Sequence, residues 1–311
     1  MANRNLFARG ARGSPIQRLQ HALAAAGFYT GRIDAQYGGG TEAAVQGMQR
    51  SARLPITGRV DENTWTRATA TPIPSVRERV LAVTAAFEGH GFGMVAGNFD
   101  GAWLTWGIIG FTLRHGEIQA LVLDLWARDP ASVRAAFGEH TDELIGLLAR
   151  NRPAELEAWA NRISLPPGKT RVVEPWRGGF QALGANPLMQ QLQMNRATLK
   201  YFEPALVTAA RLFLKTERGI GLAFDIHVQN GSVKPAVEAL VRRTLGDLSR
   251  AREADIRTVL ANGVADSARP QYREDVRSRK LAYAIGEGLV HGEPFRLDAW
   301  GVAELPAMLD L

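Results

Sequence analysis

Apolar residues recur at helical spacing from early in the chain. Ile16, Leu19, Leu23 and Ala24 share one face of a helix that Gly27 ends. Ala43, Ala44, Val45 and Met48 predict a second helix with Thr41 as its N-cap, and Thr64 and Trp65 fall in a third. Between them, residues 31–34, 37–38 and 58–60 read as tight turns built on glycine. Residues 69–75 then interrupt the pattern with Pro72 and Pro74 among hydroxyl side chains, which sets a domain boundary between 1–72 and 73–311. Downstream the period is helical again, broken by a glycine-rich patch at 89–110 and by residues 164–184, which predict a long loop. No internal repeat is expected.

The chain after the boundary opens with a capping box, Ser75 with Glu78. Val76, Val80, Leu81, Val83, Thr84 and Phe87 follow as an apolar stripe that stops at Glu88–Gly89. Gly91, Gly93, Gly97, Gly101 and Gly107 punctuate the next stretch, whose aromatic and β-branched residues predict a hairpin or three-stranded sheet. Asp100 lies in an Asp-Gly turn there and Thr105 in the following strand. A carboxylate at the end of an apolar helix, followed by a second in a turn, is what glycoside hydrolysis needs. One carboxylic acid protonates the leaving oxygen, and a carboxylate on the other face of the ring activates water.

Composition narrows the chemistry. The 311 residues include no cysteine, which excludes disulfides, thiolate metal sites and a cysteine nucleophile. The six histidines show no helical metal spacing, so neither a metal nor another cofactor is expected. Hydrophobic content of 46% and charged content of 22% suit a globular core. The net charge of +6 favours a polyanionic partner, while the absence of a basic run argues against nucleic acid. No stretch approaches the roughly 20 apolar residues of a membrane span, and the N-terminus lacks the apolar core of an export signal. A monomer without stable membrane insertion is expected. It would be made in the cytoplasm.

The N-terminal pattern resembles the small three-helix peptidoglycan-binding domain of wall hydrolases. It is carried by Gly13, Ile16, Leu19-Gln20, Leu23, Gly27-Phe28-Tyr29, Gly31, Ile33-Asp34, Tyr37-Gly38, Thr41, Ala44-Val45, Gln49, Leu54, Gly58, Val60 and Thr64-Trp65. Ala35 stands where that family prefers glycine, and Met48 where it prefers phenylalanine. The resemblance makes Tyr29, Asp34, Tyr37 and Gln49 candidates for glycan contact.

The order Glu88, Asp100, Thr105 resembles that of phage-type lysozymes. The run Asp100-Gly-Ala-Trp-Leu-Thr-Trp-Gly-Ile-Ile-Gly-Phe111 is similar to the signature of the glycoside hydrolase family 46 chitosanases. Weaker matches are Tyr201-Phe-Glu-Pro-Ala205, Phe224-Asp225 and Asn230-Gly231. The resemblance implies a mainly α, lysozyme-like α+β domain with a small sheet. It makes Glu88 the general acid, Asp100 the general base and Thr105 the residue holding the water. Glu117 takes the place of a sugar-binding aspartate, and Asp225 with Arg279 that of a charge network behind the acid. Trp103 and Trp106 are candidates for stacking on sugar, and His90 and His227 lie nearby in sequence. The loop between Glu88 and Asp100 is shorter than in the chitosanases, and Ala102 replaces an arginine; both changes fall where substrate is read. Chitosan is a polycation that suits an acidic groove, whereas peptidoglycan carries carboxylates that suit this basic chain. The expected function is therefore an inverting muramidase of the endolysin type. The resemblance to wall hydrolases then implies release to the periplasm and cell wall by a holin or a secretion apparatus. A chitosanase, a lytic transglycosylase and a non-catalytic wall-binding or tail protein are the alternatives. The linker further predicts that residues 73–311 fold alone.

Overall fold

The computed structural model describes residues 4–89 and 91–308. Its first elements are β1 (Asn5–Phe7), α1 (Ser14–Ala25), α2 (Gly39–Ser51), β2 (Val60–Asp61), α3 (Glu62–Thr69) and α4 (Val76–Glu88). A small antiparallel sheet follows, β3 (Val95–Ala96), β4 (Thr105–Trp106) and β5 (Phe111–Thr112), in that spatial order. Next come α5 (Glu117–Arg128), α6 (Pro130–Phe137), α7 (Thr141–Arg150) and α8 (Pro153–Ile163). The hairpin β6 (Ser164–Leu165) and β7 (Arg171–Val172) leads to α9 (Trp176–Ala185) and α10 (Pro187–Ala197). The chain ends with α11 (Glu203–Arg211), α12 (Glu217–Asn230), α13 (Pro235–Leu245), α14 (Glu253–Asp266), α15 (Arg273–Ile285) and the hairpin β8 (Glu287–Val290) and β9 (Glu293–Arg296). The fold is thus mainly helical with small sheets, as the periodicity predicts. Residues 164–184 are not one long loop: Pro166 and Pro167 lie in the connection of a hairpin, and α9 starts directly after Pro175.

In the N-terminal module, Ile16, Leu19 and Leu23 of α1 bury against Val45 and Met48 of α2 and Trp65 of α3. Two buried glutamines organise its turns. Gln20 on α1 donates to Asp34 Oδ1 (2.8 Å) and to the Gln36 carbonyl (3.0 Å), and accepts from the Ala35 amide (2.9 Å). Gln49 on α2 donates to the Arg59 carbonyl (2.8 Å) and accepts from the amides of Thr57 and Gly58 (both 3.0 Å). The two turns are copies in sequence, Thr30-Gly-Arg-Ile-Asp34 and Thr57-Gly-Arg-Val-Asp61. The expectation of no internal repeat is therefore corrected; five residues are too few to register as a period. Thr41 is not the N-cap of α2, because the helix begins at Gly39 and the Thr41 hydroxyl accepts from Gln20 (3.0 Å).

Ala35 sits at φ 60°, in the left-handed region where a Cβ is strained. The preference for glycine at this position has that cause. We expect Ala35→Gly to stabilise the protein by about 1 kcal/mol, read as a small rise in the denaturant midpoint. A lower midpoint would mean that unfolded-chain entropy outweighs the strain.

Contacts divide the chain into two compact units, one of residues 1–87 with 200–311 and the other of residues 88–199. In the first unit the module is packed onto the C-terminal segment. Glu217, fully buried, is paired with both Arg4 and Arg79, and its Oε2 accepts from the Ala303 amide (2.9 Å). The Ala8 amide donates to Ala299 (2.9 Å), and Arg12 pairs with Glu293 (2.6 Å). Leu6 and Phe7 are buried at 0% and 1% exposure. The 72/73 boundary marks the end of the module's own helices; the packing runs across it.

Candidate active site

The capping box predicted at the head of α4 is present: the Ser75 amide donates to Glu78 Oε2 (2.9 Å) and the Glu78 amide to Ser75 Oγ (3.3 Å). At the other end Gly89, at φ 68°, stops the helix, which leaves half-buried Glu88 as its last residue. Just before it, α4 is anchored by a buried polar cluster. Thr84 donates to Asp225 Oδ1 (3.1 Å) and lies 3.0 Å from the Tyr283 hydroxyl. Asp225 also accepts from Arg279 (2.7 Å) and Lys280 (2.5 Å), and the Arg279 guanidinium sits over the Phe87 ring at 5.6 Å. The predicted pairing of Asp225 with Arg279 is therefore found. Lys280 and Thr84 were missed, because neither spacing nor type distinguishes them from ordinary helix residues.

Burial opposes ionisation of Asp225, but Arg279 and Lys280 outweigh it and hold the carboxyl down at about 2. A depressed carboxyl stabilises the fold fully above its ordinary value near 3.8, and that stability is lost as pH falls through about 2. The contribution is about 2 kcal/mol. Asp225→Asn should abolish this acid-dependent part and take a buried counter-charge from Arg279 and Lys280, for a loss of about 3–5 kcal/mol near neutral pH. Denaturation midpoints measured from pH 2 to 6 check this: an asparagine variant as stable as the parent at pH 6 contradicts it.

In the second unit, Asp100 occupies the connection between β3 and β4. Ala96 pairs with Thr105, and Thr105 with Thr112, so Thr105 lies in the central strand of the sheet, at 9% exposure. The turn is held on both sides of Asp100. The Ala102 amide donates to Asp100 Oδ1 (3.0 Å), the Trp103 amide donates to Asn98 Oδ1 (2.9 Å), and Gly101 takes φ 82°. Asn98 is itself tied to Asn161 (3.0 Å) and, by its amide, to Ser164 Oγ (2.9 Å). A Cβ on Gly97 would come within 2.5 Å of Ser164 Oγ and the Lys169 carbonyl, so only glycine fits. Asp100 is thereby presented on a braced turn, exposed to solvent. A second brace is Gln193, fully buried on α10, which donates to the Phe92 carbonyl (3.0 Å) and accepts from the Ile108 amide (3.0 Å). It clips the loop that follows Glu88 to the turn that follows Thr105. Asn98 had a readable signal as a turn residue beside two glycines; Gln193, a hundred residues away, had none.

Several expectations are corrected. Trp103 and Trp106 are core residues, at 8% and 0% exposure, so neither presents a face to sugar. The exposed aromatic beside Asp100 is Phe99, at 52%. Glu117 is buried at 3%, and its Oε2 accepts from the Thr112 amide (2.9 Å) and hydroxyl (3.0 Å), so that oxygen is committed within the fold and not to a sugar. Tyr37 is buried at 2% and donates to the Gly58 carbonyl (2.9 Å); its ring belongs to the module's core. Gln49 is likewise committed to its turn. Asp34 is exposed, and its carboxyl is held below the usual range by the hydrogen bond from Gln20. Tyr29, partly exposed, donates to the Arg32 carbonyl (2.7 Å). His227 is buried against Thr208 (2.9 Å). His90 lies outside the described residues. No cluster of metal-ligating side chains occurs among the described residues.

Residues 12–67 match the family model described as "Putative peptidoglycan binding domain". The N-terminal module belongs to that family. The native chitosanase from Bacillus subtilis MY002 is similar to the chain in structure, with a TM-score of 0.51, 16% identity, and coverage of 68% of this chain and 88% of that one. The GH46 chitosanase of Gynuella sunshinyii in complex with chitotetraose is similar with a TM-score of 0.49 and 14% identity, over 72% of this chain and 98% of that one. The Bacillus likeness shows a shared fold, the one the glycine-rich signature implied. No curated protein matches in sequence.

Proposed function

We propose that the protein is a glycoside hydrolase of the cell wall, a muramidase that cuts the β-1,4 glycan backbone of peptidoglycan. The observation that carries this reading is the pairing of a peptidoglycan-binding module with a chitosanase-like fold that retains Glu88 at a helix end and Asp100 on a braced turn. In this reading Glu88 protonates the leaving oxygen, Asp100 takes a proton from water, and the Thr105 hydroxyl orients that water. Water attacks from the face opposite the leaving group, so the product anomer is inverted. Inversion calls for carboxyl groups on the order of 6.5–9.5 Å apart. The net charge of +6 favours a carboxylate-bearing wall over a cationic glucosamine polymer. The protein acts as a monomer in the wall, reached through a holin or a secretion apparatus.

Mass spectrometry of purified peptidoglycan after digestion tests the reading. Reducing N-acetylmuramic ends are expected, with α as the first-formed anomer by NMR. Anhydro ends would indicate a transglycosylase. Intact glycan together with cleavage of chitosan would favour the chitosanase alternative, and no cleavage of either would leave a binding or tail-structural role.

A further inference from the structure

Beside the turn that bears Asp100, the second unit has a cavity of about 250 Å³ lined by Val95, Leu165, Thr170, Val172 and Val173, together with Arg171, Glu174 and Arg177. Its walls are mostly β-branched and leucine side chains. The charges at its edge are unequal in their commitments. Arg177 is paired with Glu174 (2.6 Å), and Glu174 also accepts from the Gly178 amide (2.9 Å). Arg171 is exposed, and its side chain makes no hydrogen bond or ion pair among the described residues. The volume falls below the ~300–1,000 Å³ of sites that enclose a whole small ligand. It suits a branch of a larger ligand, one with apolar character and an anionic group.

We propose that this cavity receives the peptide stem carried by the muramic residues of peptidoglycan, with Arg171 binding a stem carboxylate. The proposal rests on the muramidase reading and names the part of the substrate that a chitosanase would not meet. A sugar ring is the poorer occupant, since valine and leucine walls leave its hydroxyls without partners. Reach is sufficient. Val95 lies five residues before Asp100, at most roughly 17 Å along an extended chain, and a stem of four or five residues spans about the same length. The two features are also mechanically joined: the Gly97 amide donates to the Thr170 carbonyl (3.3 Å), and Thr170 lines the cavity.

Two measurements on the full-length protein test this. In methyl NMR, the synthetic tripeptide alanyl-glutamyl-lysine should shift Val95, Leu165 and Val172, and Arg171→Ala should weaken that binding about tenfold. In turnover, the parent should prefer stem-bearing glycan to glycan stripped by an amidase, and Arg171→Ala should cut that preference about tenfold while leaving stripped glycan unaffected. No methyl shift at millimolar peptide, equal shifts with inorganic phosphate, or an equal loss on both glycans overturns the proposal. Peptide binding without cleavage of any wall glycan would keep the cavity's assignment and sink the muramidase reading. Equal cleavage of both glycans without methyl shifts would do the reverse.

Discussion

Glu88→Gln is expected to lower turnover on soluble wall fragments by about 10³–10⁴-fold while binding to sacculi stays unchanged. The amide keeps the shape of the side chain but has no proton to give to a leaving oxygen. The helix beneath it is also held by Thr84 on Asp225 and by Phe87 beneath Arg279, so the variant should fold. Its circular dichroism and denaturant midpoint should match those of the parent. Retention of a tenth of the activity would remove Glu88 from the role of acid. Asp100→Asn should cost a comparable factor, because an amide cannot take a proton from water. A variant active to within a factor of ten would make Asp100 a turn residue and nothing more.

The second large effect concerns the module. The sequence, with its prolines at 72 and 74, predicts that residues 73–311 fold alone. The packing leads to the opposite expectation. Removing residues 1–72 takes away the contacts of β1 with residues 297–300, among them fully buried Leu6, worth about 1.5–3 kcal/mol of burial, and one of the two guanidinium groups that neutralise buried Glu217. A loss of about 5 kcal/mol or more is expected, which is comparable with the whole net stability of a typical domain. The fragment should be insoluble or melt far below the full chain. If it is soluble with an unchanged midpoint and cuts soluble fragments at the full rate, the module is a detachable targeting device. Glu217→Gln in the full chain offers a second check, since it removes the buried counter-charge shared by Arg4 and Arg79 while leaving the apolar contacts in place.

What could be read from the sequence was local. The helix of Glu88 carried its own signals, the capping box at Ser75 and the glycine after its last residue. The turn of Asp100 carried Asp-Gly, and the three-stranded sheet followed from β-formers between glycines. The Asp225–Arg279 pair was legible only through resemblance, since 54 residues separate its members. What stayed hidden was either distant or ambiguous in type. Gln193 and Asn161 brace the site from helices far along the chain, and a buried glutamine or asparagine looks like a surface one in a list of residues. Trp103 and Tyr37 failed for the converse reason. An aromatic beside a site is equally suited to stack on sugar or to fill a core, and only its exposure decides. The docking of the module was masked by its linker, whose prolines mark a change in helical texture without marking a gap in packing.

Gln49 holds the second turn of the module through uncharged amide, carbonyl and hydroxyl groups. These groups neither gain nor lose protons across the whole biological range, and an uncharged bond sheltered from water is little weakened by salt. The grip of Gln49 on that turn is therefore indifferent to acid, unlike the Asp225 cluster, whose strength depends on ionisation. Acidifying the surroundings should loosen the anchor of α4 well before it alters the grip of that glutamine, so one molecule carries two parts with different tolerances to the same environment.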